Sequence, residues 1–134
     1  MIAEYWIASP HQSGYPALSN SQKVQMEDAL YQFKGHYVRI IACERKDCQT
    51  LARDLIDVFQ AAGWEQVPAA GKTINSRWIS VSGPKRDPAV NAVVEQLNRV
   101  MPAPVIPPNR DDGGAAEIMI GEFALQGQGQ RVAK

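Results

Sequence analysis

The chain lacks any net charge: fourteen Lys and Arg balance fourteen Asp and Glu over 134 residues. No overall field draws it onto duplex nucleic acid or an anionic membrane, so nucleic acid is not an expected partner and any charge-driven contact must be local. Long apolar runs are missing too. Stretches such as Ile40-Ile41-Ala42 and Ile118-Met119-Ile120 last only a few residues, far short of the roughly 20 that cross a bilayer. Residues 1–10 contain neither a basic n-region nor a long apolar h-region, which excludes a secretory signal there. The expectation for the chain as given is the cytoplasm.

Cysteine is scarce. Cys43 and Cys48 stand in Cys-Glu-Arg-Lys-Asp-Cys, without the Cys-x-x-Cys spacing of redox motifs or zinc knuckles, so the redox compartment stays open. They are expected to be two semi-buried small apolar residues. The competing reading is a thiol activated by a helix N-terminus beside Arg45 and Lys46. His11 and His36 have no neighbour at metal-ligand spacing and read as surface residues, and no cofactor motif is present. Gly71-Lys72-Thr73 matches the end of a phosphate-binding loop. That motif needs a glycine five residues before Gly71, and Gln66 stands there. Ser13-Gly14 and Ser82-Gly83 lack the flanking glycine of a nucleophile elbow.

What is there is ordinary globular composition, 45% hydrophobic and 21% charged, in a length that makes one domain. Residues 1–18 read as an irregular, loosely attached arm, 19–121 as a single α/β domain, and 122–134 as a flexible tail rich in Gly and Gln. Ser19 and Gln22 predict a capping box, followed by Met26, Ala29, Leu30 and Phe33 at helical spacing up to Gly35. Residues 37–42 are β-branched and predict a buried strand. Asp47 predicts the cap of a second helix with Leu51, Leu55, Val58, Phe59 and Ala62 on its face, stopped by Gly63. Short strands are expected at 64–67 and 78–82. Asp87-Pro88 then starts a third helix with Val90, Val93, Val94, Leu97 and Met101 on one face. Residues 105–106 form a further short strand, and 117–121 the last one.

Leu51, Leu55, Val58 and Ala62 match Val90, Val94, Leu97 and Met101 at a constant offset of about 40 residues. Each half therefore reads as strand, basic turn, Asp cap, helix, short strand. The fold class is α/β (α+β), a two-layer sandwich with a βαβ-βαβ pseudo-repeat, ferredoxin-like or a small mixed sheet, with an extra N-terminal helix and a C-terminal strand. The aromatic strand residues Tyr37, Trp64 and Trp78 are expected to be core or helix-facing.

Taken in order, residues 33–36, 38–41, 51–64 and 118–121 resemble a soluble domain of bacterial membrane-anchored proteins, and the likeness covers most of 19–121. The resemblance implies a membrane-tethered soluble module that follows one or more transmembrane helices. It implies no activity and no catalytic residue. The membrane helix of that pattern is not among these 134 residues, so contact with a membrane would come only through a segment this chain does not contain.

The candidate binding residues are Arg45 and Lys46 in one strand-to-helix turn and Lys85 and Arg86 in the other. Both pairs precede a helix N-terminus, where backbone N–H groups and the dipole favour an anion. The adjacent Asp47 and Asp87 compete for those same groups, and one ligand can use both turns only if the sheet brings them to one edge. With no convergent catalytic set, the leading expectation is a non-enzymatic binding or regulatory module for a protein partner or small anionic ligand. The alternative is a small sensor or enzyme for an anionic ligand or nucleotide, and a homo-oligomer paired through an edge strand is a third reading.

Overall fold

The computed structural model describes residues 14–68, 78–108 and 115–122. Tyr5, Trp6, His11, the Gly71-Lys72-Thr73 segment and residues 123–134 lie outside the described residues. The elements are α1 (Asn20–Tyr31), β1 (Tyr37–Ala42), α2 (Lys46–Ala61), β2 (Glu65–Gln66), β3 (Ile79–Ser82), α3 (Pro88–Val100) and β4 (Ala116–Ile120).

Two of the three helices start on side-chain caps. Ser19 closes the capping box, accepting from the Gln22 amide at 3.1 Å while Gln22 Oε1 accepts from the Ser19 amide at 2.9 Å. Asp87 accepts from the Ala89 amide at 2.9 Å, with Pro88 at the first helical position. At α2 the expected Asp47 cap gives way to Arg45, whose side chain makes no capping bond. Asp47 lies inside the first turn because its carboxylate is drawn instead to the Tyr15 amide at 3.1 Å and to Arg45 Nε at 3.2 Å. After α2 the chain reverses through Gly63 at φ +83°, where a Cβ would stand 3.0 Å from Lys34 Cβ.

The described strands form one sheet in the order β2-β1-β4-β3. β1 runs parallel to β2 and β4, and β3 runs antiparallel to β4. This is the small mixed sheet and not the ferredoxin-like one: β1 and β2, the strands joined through α2, are direct neighbours, whereas a split βαβ unit leaves room for a strand between them. On the other flank, Ile106 bridges β3 in parallel, its amide donating to Ile79 O at 2.9 Å and its carbonyl accepting from Val81 N at 3.0 Å. Both outer segments are short, and prolines bound them at Pro68, Pro104 and Pro107.

Register sorts the side chains by face. Val38 pairs with Ala116, Ile40 with Ile118 and Ala42 with Ile120, and Ile118 and Ile120 in turn oppose Val81 and Ile79. These residues join Leu51, Leu55, Val58 and Phe59 of α2, Val90, Val93 and Leu97 of α3, and Met26 and Leu30 of α1 in one hydrophobic core. The apolar helix stripes are therefore buried, giving a helix layer on a sheet layer. The alternate positions put Arg39 beside Glu117, an ion pair at 3.1 Å, on the other face.

Two expectations change. Tyr37 is 58% exposed, not core, because β1 sends it to the face away from the helices. Residues 14–18 are irregular but not loosely attached: Tyr15 and Leu18 are buried, and the Leu18 amide donates to Asp54 Oδ2 at 3.1 Å. Trp64 and Trp78 are buried as expected, each with its indole N–H satisfied, by Leu30 O at 2.9 Å and Pro104 O at 2.8 Å.

Candidate functional site

Because β1 and β3 run in opposite directions, the turns that follow them lie at opposite ends of the sheet. Arg45 and Lys46 stand at the end where Ala42, Ile120 and Ile79 align, and Lys85 and Arg86 at the end where Val38, Ala116 and Ser82 meet. All four side chains are exposed. No single small ligand bridges the two pairs.

The first turn is closed by its own chemistry. Cys43 and Cys48 form a disulfide with Cα atoms 5.5 Å apart, replacing the expected pair of separate apolar residues. A strand that ends at Ala42, one residue before Cys43, and a helix that begins two residues before Cys48 bring the sulfurs together across one tight turn, which spacing motifs built on Cys-x-x-Cys do not capture. Gln49 Nε2 donates to Cys43 O at 2.7 Å. Tyr15 packs on Trp78, ring centroids 5.4 Å apart, and its hydroxyl donates to Gly121 O at 2.6 Å. Burial raises the Tyr15 hydroxyl well above its ordinary range, and the Asp47 carboxylate adds to that. Partial burial pushes the Asp47 carboxyl up, but the Tyr15 amide and Arg45 outweigh it, so its pKa is lowered. The α2 N-terminus thus already faces a native carboxylate.

The second end holds a cleft of about 240 Å³. His36, Tyr37, Trp64, Asp87, Val90 and Ala116 line it. Four parts of the fold build it: the entry to β1 after Gly35, the aromatic that follows α2, the capped start of α3 and the first residue of β4. The His36 ring sits between Phe33, edge-on at 5.9 Å, and Trp64, tilted at 5.5 Å. Its Nδ1 is 2.9 Å from the Phe33 carbonyl. A carbonyl can only accept, so Nδ1 carries a hydrogen and Nε2 is the nitrogen turned toward the cleft. That nitrogen is 4.0 Å from Asp87 Oδ1. The two polar atoms face each other across the cleft, slightly too far apart to bond directly and spaced so that a third polar group could reach both. Neither Lys85 nor Arg86 lines the cleft.

Sequence reading singled out the basic turns and passed over His36 with Asp87. Fifty-one positions separate the two residues, and no local pattern signals that the Gly35 turn and the α3 cap converge. Among the described residues, no group of three His, Cys, Asp or Glu side chains could hold a metal ion, and no helix is long and apolar enough to cross a membrane. No protein-family model, curated protein or solved structure matches the chain.

Proposed function

We propose that this domain is a non-enzymatic binding and regulatory module. Its His36–Asp87 cleft receives a hydrogen-bond donor, an ammonium, guanidinium or amide group presented by a protein partner. The observation that carries this reading is the approach of Nε2 of His36 to Oδ1 of Asp87, 4.0 Å apart, with the His36 ring packed on Trp64. A cation held there meets a carboxylate and aromatic rings together, a combination that attracts positive charge.

The anion reading has less support. Asp87 caps the α3 N-terminus behind Lys85-Arg86, and Asp47 places a carboxylate in the first turn of α2 behind Arg45-Lys46, where it pairs with Arg45. Edge-to-edge pairing of copies is also disfavoured by the short, proline-bounded outer segments. The resemblance of residues 33–36, 38–41, 51–64 and 118–121 to bacterial membrane-anchored proteins, together with the matched stripes of α2 and α3, suggests a duplicated half-unit serving as the soluble part of a tethered protein.

The test is an NMR titration of the full chain with methylguanidinium and methylammonium, set against acetate and phosphate. The two cations should give saturable shifts at His36, Asp87 and Ala89, and D87S, which keeps a capping hydroxyl but removes the carboxylate, should abolish them while Tm holds. Shifts produced by the anions at Lys85 and Arg86, with none from the cations, would reverse the assignment.

A further inference from the structure

We propose that Cys43–Cys48 is a thiol–disulfide exchange site whose state sets how firmly the Tyr15 end of the lead-in segment holds to the domain. Of the three described helices, only α2 starts without a side-chain cap, and the disulfide ties its first turn to the end of β1 instead. Cys43 is itself fixed to the sheet, its amide donating to Ile120 O at 2.9 Å. The same first turn holds Tyr15: Asp47 accepts from the Tyr15 amide at 3.1 Å.

A second link runs through one carbonyl. Gly121 O accepts from the Tyr15 hydroxyl at 2.6 Å, and Cys48 Sγ lies 3.5 Å from that same oxygen. A disulfide sulfur has no hydrogen to offer. Reduced, Cys48 carries an S–H directed at the acceptor that Tyr15 uses. Reduction therefore removes the covalent hold on the Asp47 turn and introduces a rival donor at Gly121.

Exchange balances with a dithiol reductant. Its thiolate attacks Cys43 Sγ, the more accessible sulfur at 9% residue exposure against none for Cys48. The Cys43–Cys48 bond breaks, and Cys48 leaves as a thiolate and takes up a proton. The second thiol of the reductant then displaces Cys43 and departs as an intramolecular disulfide. Two electrons and two protons pass to the pair, and an oxidising disulfide reverses each step. The chain contains no third cysteine, so reoxidation within the monomer returns the same bridge.

Hydrogen exchange followed by NMR on the full chain, oxidised and then treated with dithiothreitol, tests the proposal. The Tyr15 amide and the Gln49 amide, which donates to Arg45 O at 3.0 Å, should exchange at least about tenfold faster after reduction. The Leu18 amide, held by Asp54 beyond that turn, and the amides of α3 should change by less than about twofold. The double variant C43S/C48S should show the reduced pattern and ignore the reductant. If that variant does not fold, the wild-type comparison decides alone. Unchanged Tyr15 protection overturns the proposal, and so does equal loss across Tyr15, Leu18 and α3, which would make the bridge a general staple. Two titratable thiols in protein equilibrated with an oxidised dithiol overturn it as well.

Discussion

Tyr15 and Asp47 set the pH limits of this end of the molecule, with opposite signs. The folded Asp47 pKa is lowered, so its contribution to stability is complete above the ordinary carboxylate value and is lost as pH falls through the folded one. The folded Tyr15 pKa is raised, so its contribution is complete below about pH 10 and is lost as the hydroxyl is forced to ionise at higher pH. Thermal melts across pH should show Tm declining on both flanks. D47N should flatten the acid flank and, by removing a charge that helps raise the Tyr15 pKa, soften the alkaline one, whereas Y15F should flatten the alkaline flank and leave the acid flank as in wild type. A Y15F curve that still falls above pH 10 by the wild-type amount would mean another group controls that limb.

At the scale of elements, the helices begin by different devices, and mutation should sort them. S19A and D87A each remove a bonded cap and should cost about 0.5–2 kcal/mol in chemical denaturation. R45A removes an N-cap residue that bonds no orphan amide, together with an exposed pairing to Asp47, and should stay within about 0.5 kcal/mol. The disulfide stands in for the missing cap, and closing so short a loop is worth about 2 kcal/mol on the chain-entropy account. If R45A proved as costly as D87A, the cap assignment at α2 would be wrong. These starts were readable locally because capping is a contact between residues two or three apart. Asp47 misled because its carboxylate answers to Tyr15, thirty-two positions away.

On the scale of the whole molecule, the antiparallel relation of β1 to β3 separates the two basic turns by the length of the sheet, roughly 15–20 Å at about 3.3 Å per residue. Charge reversal at Arg45 and Lys46 and at Lys85 and Arg86 should therefore be additive. In thermal-shift measurements with a polyphosphate, the quadruple variant should lose the sum of the two double variants to within about 0.5 kcal/mol. Strong non-additivity would place both turns on one ligand and contradict the strand directions. The same separation keeps the His36–Asp87 cleft remote from the disulfide, so ligand binding in one and thiol chemistry in the other can be measured independently.

The sequence alone determined the helices, the placing of the strands and the core residues carried on the helix faces. Those follow from periodicity and punctuation: Leu51, Leu55 and Val58 repeat at a helical interval before Gly63, and Asp87-Pro88 opens the next helix. Such signals lie within a few residues of what they control. Strand order, the opposed ends of the two turns, the meeting of His36 with Asp87 and the docking of Tyr15 against Trp78 and Gly121 were decided only in the tertiary structure. Each depends on which strands become neighbours and in which direction they run. That choice is made by burial of the whole apolar face at once, and no short stretch of the chain encodes it.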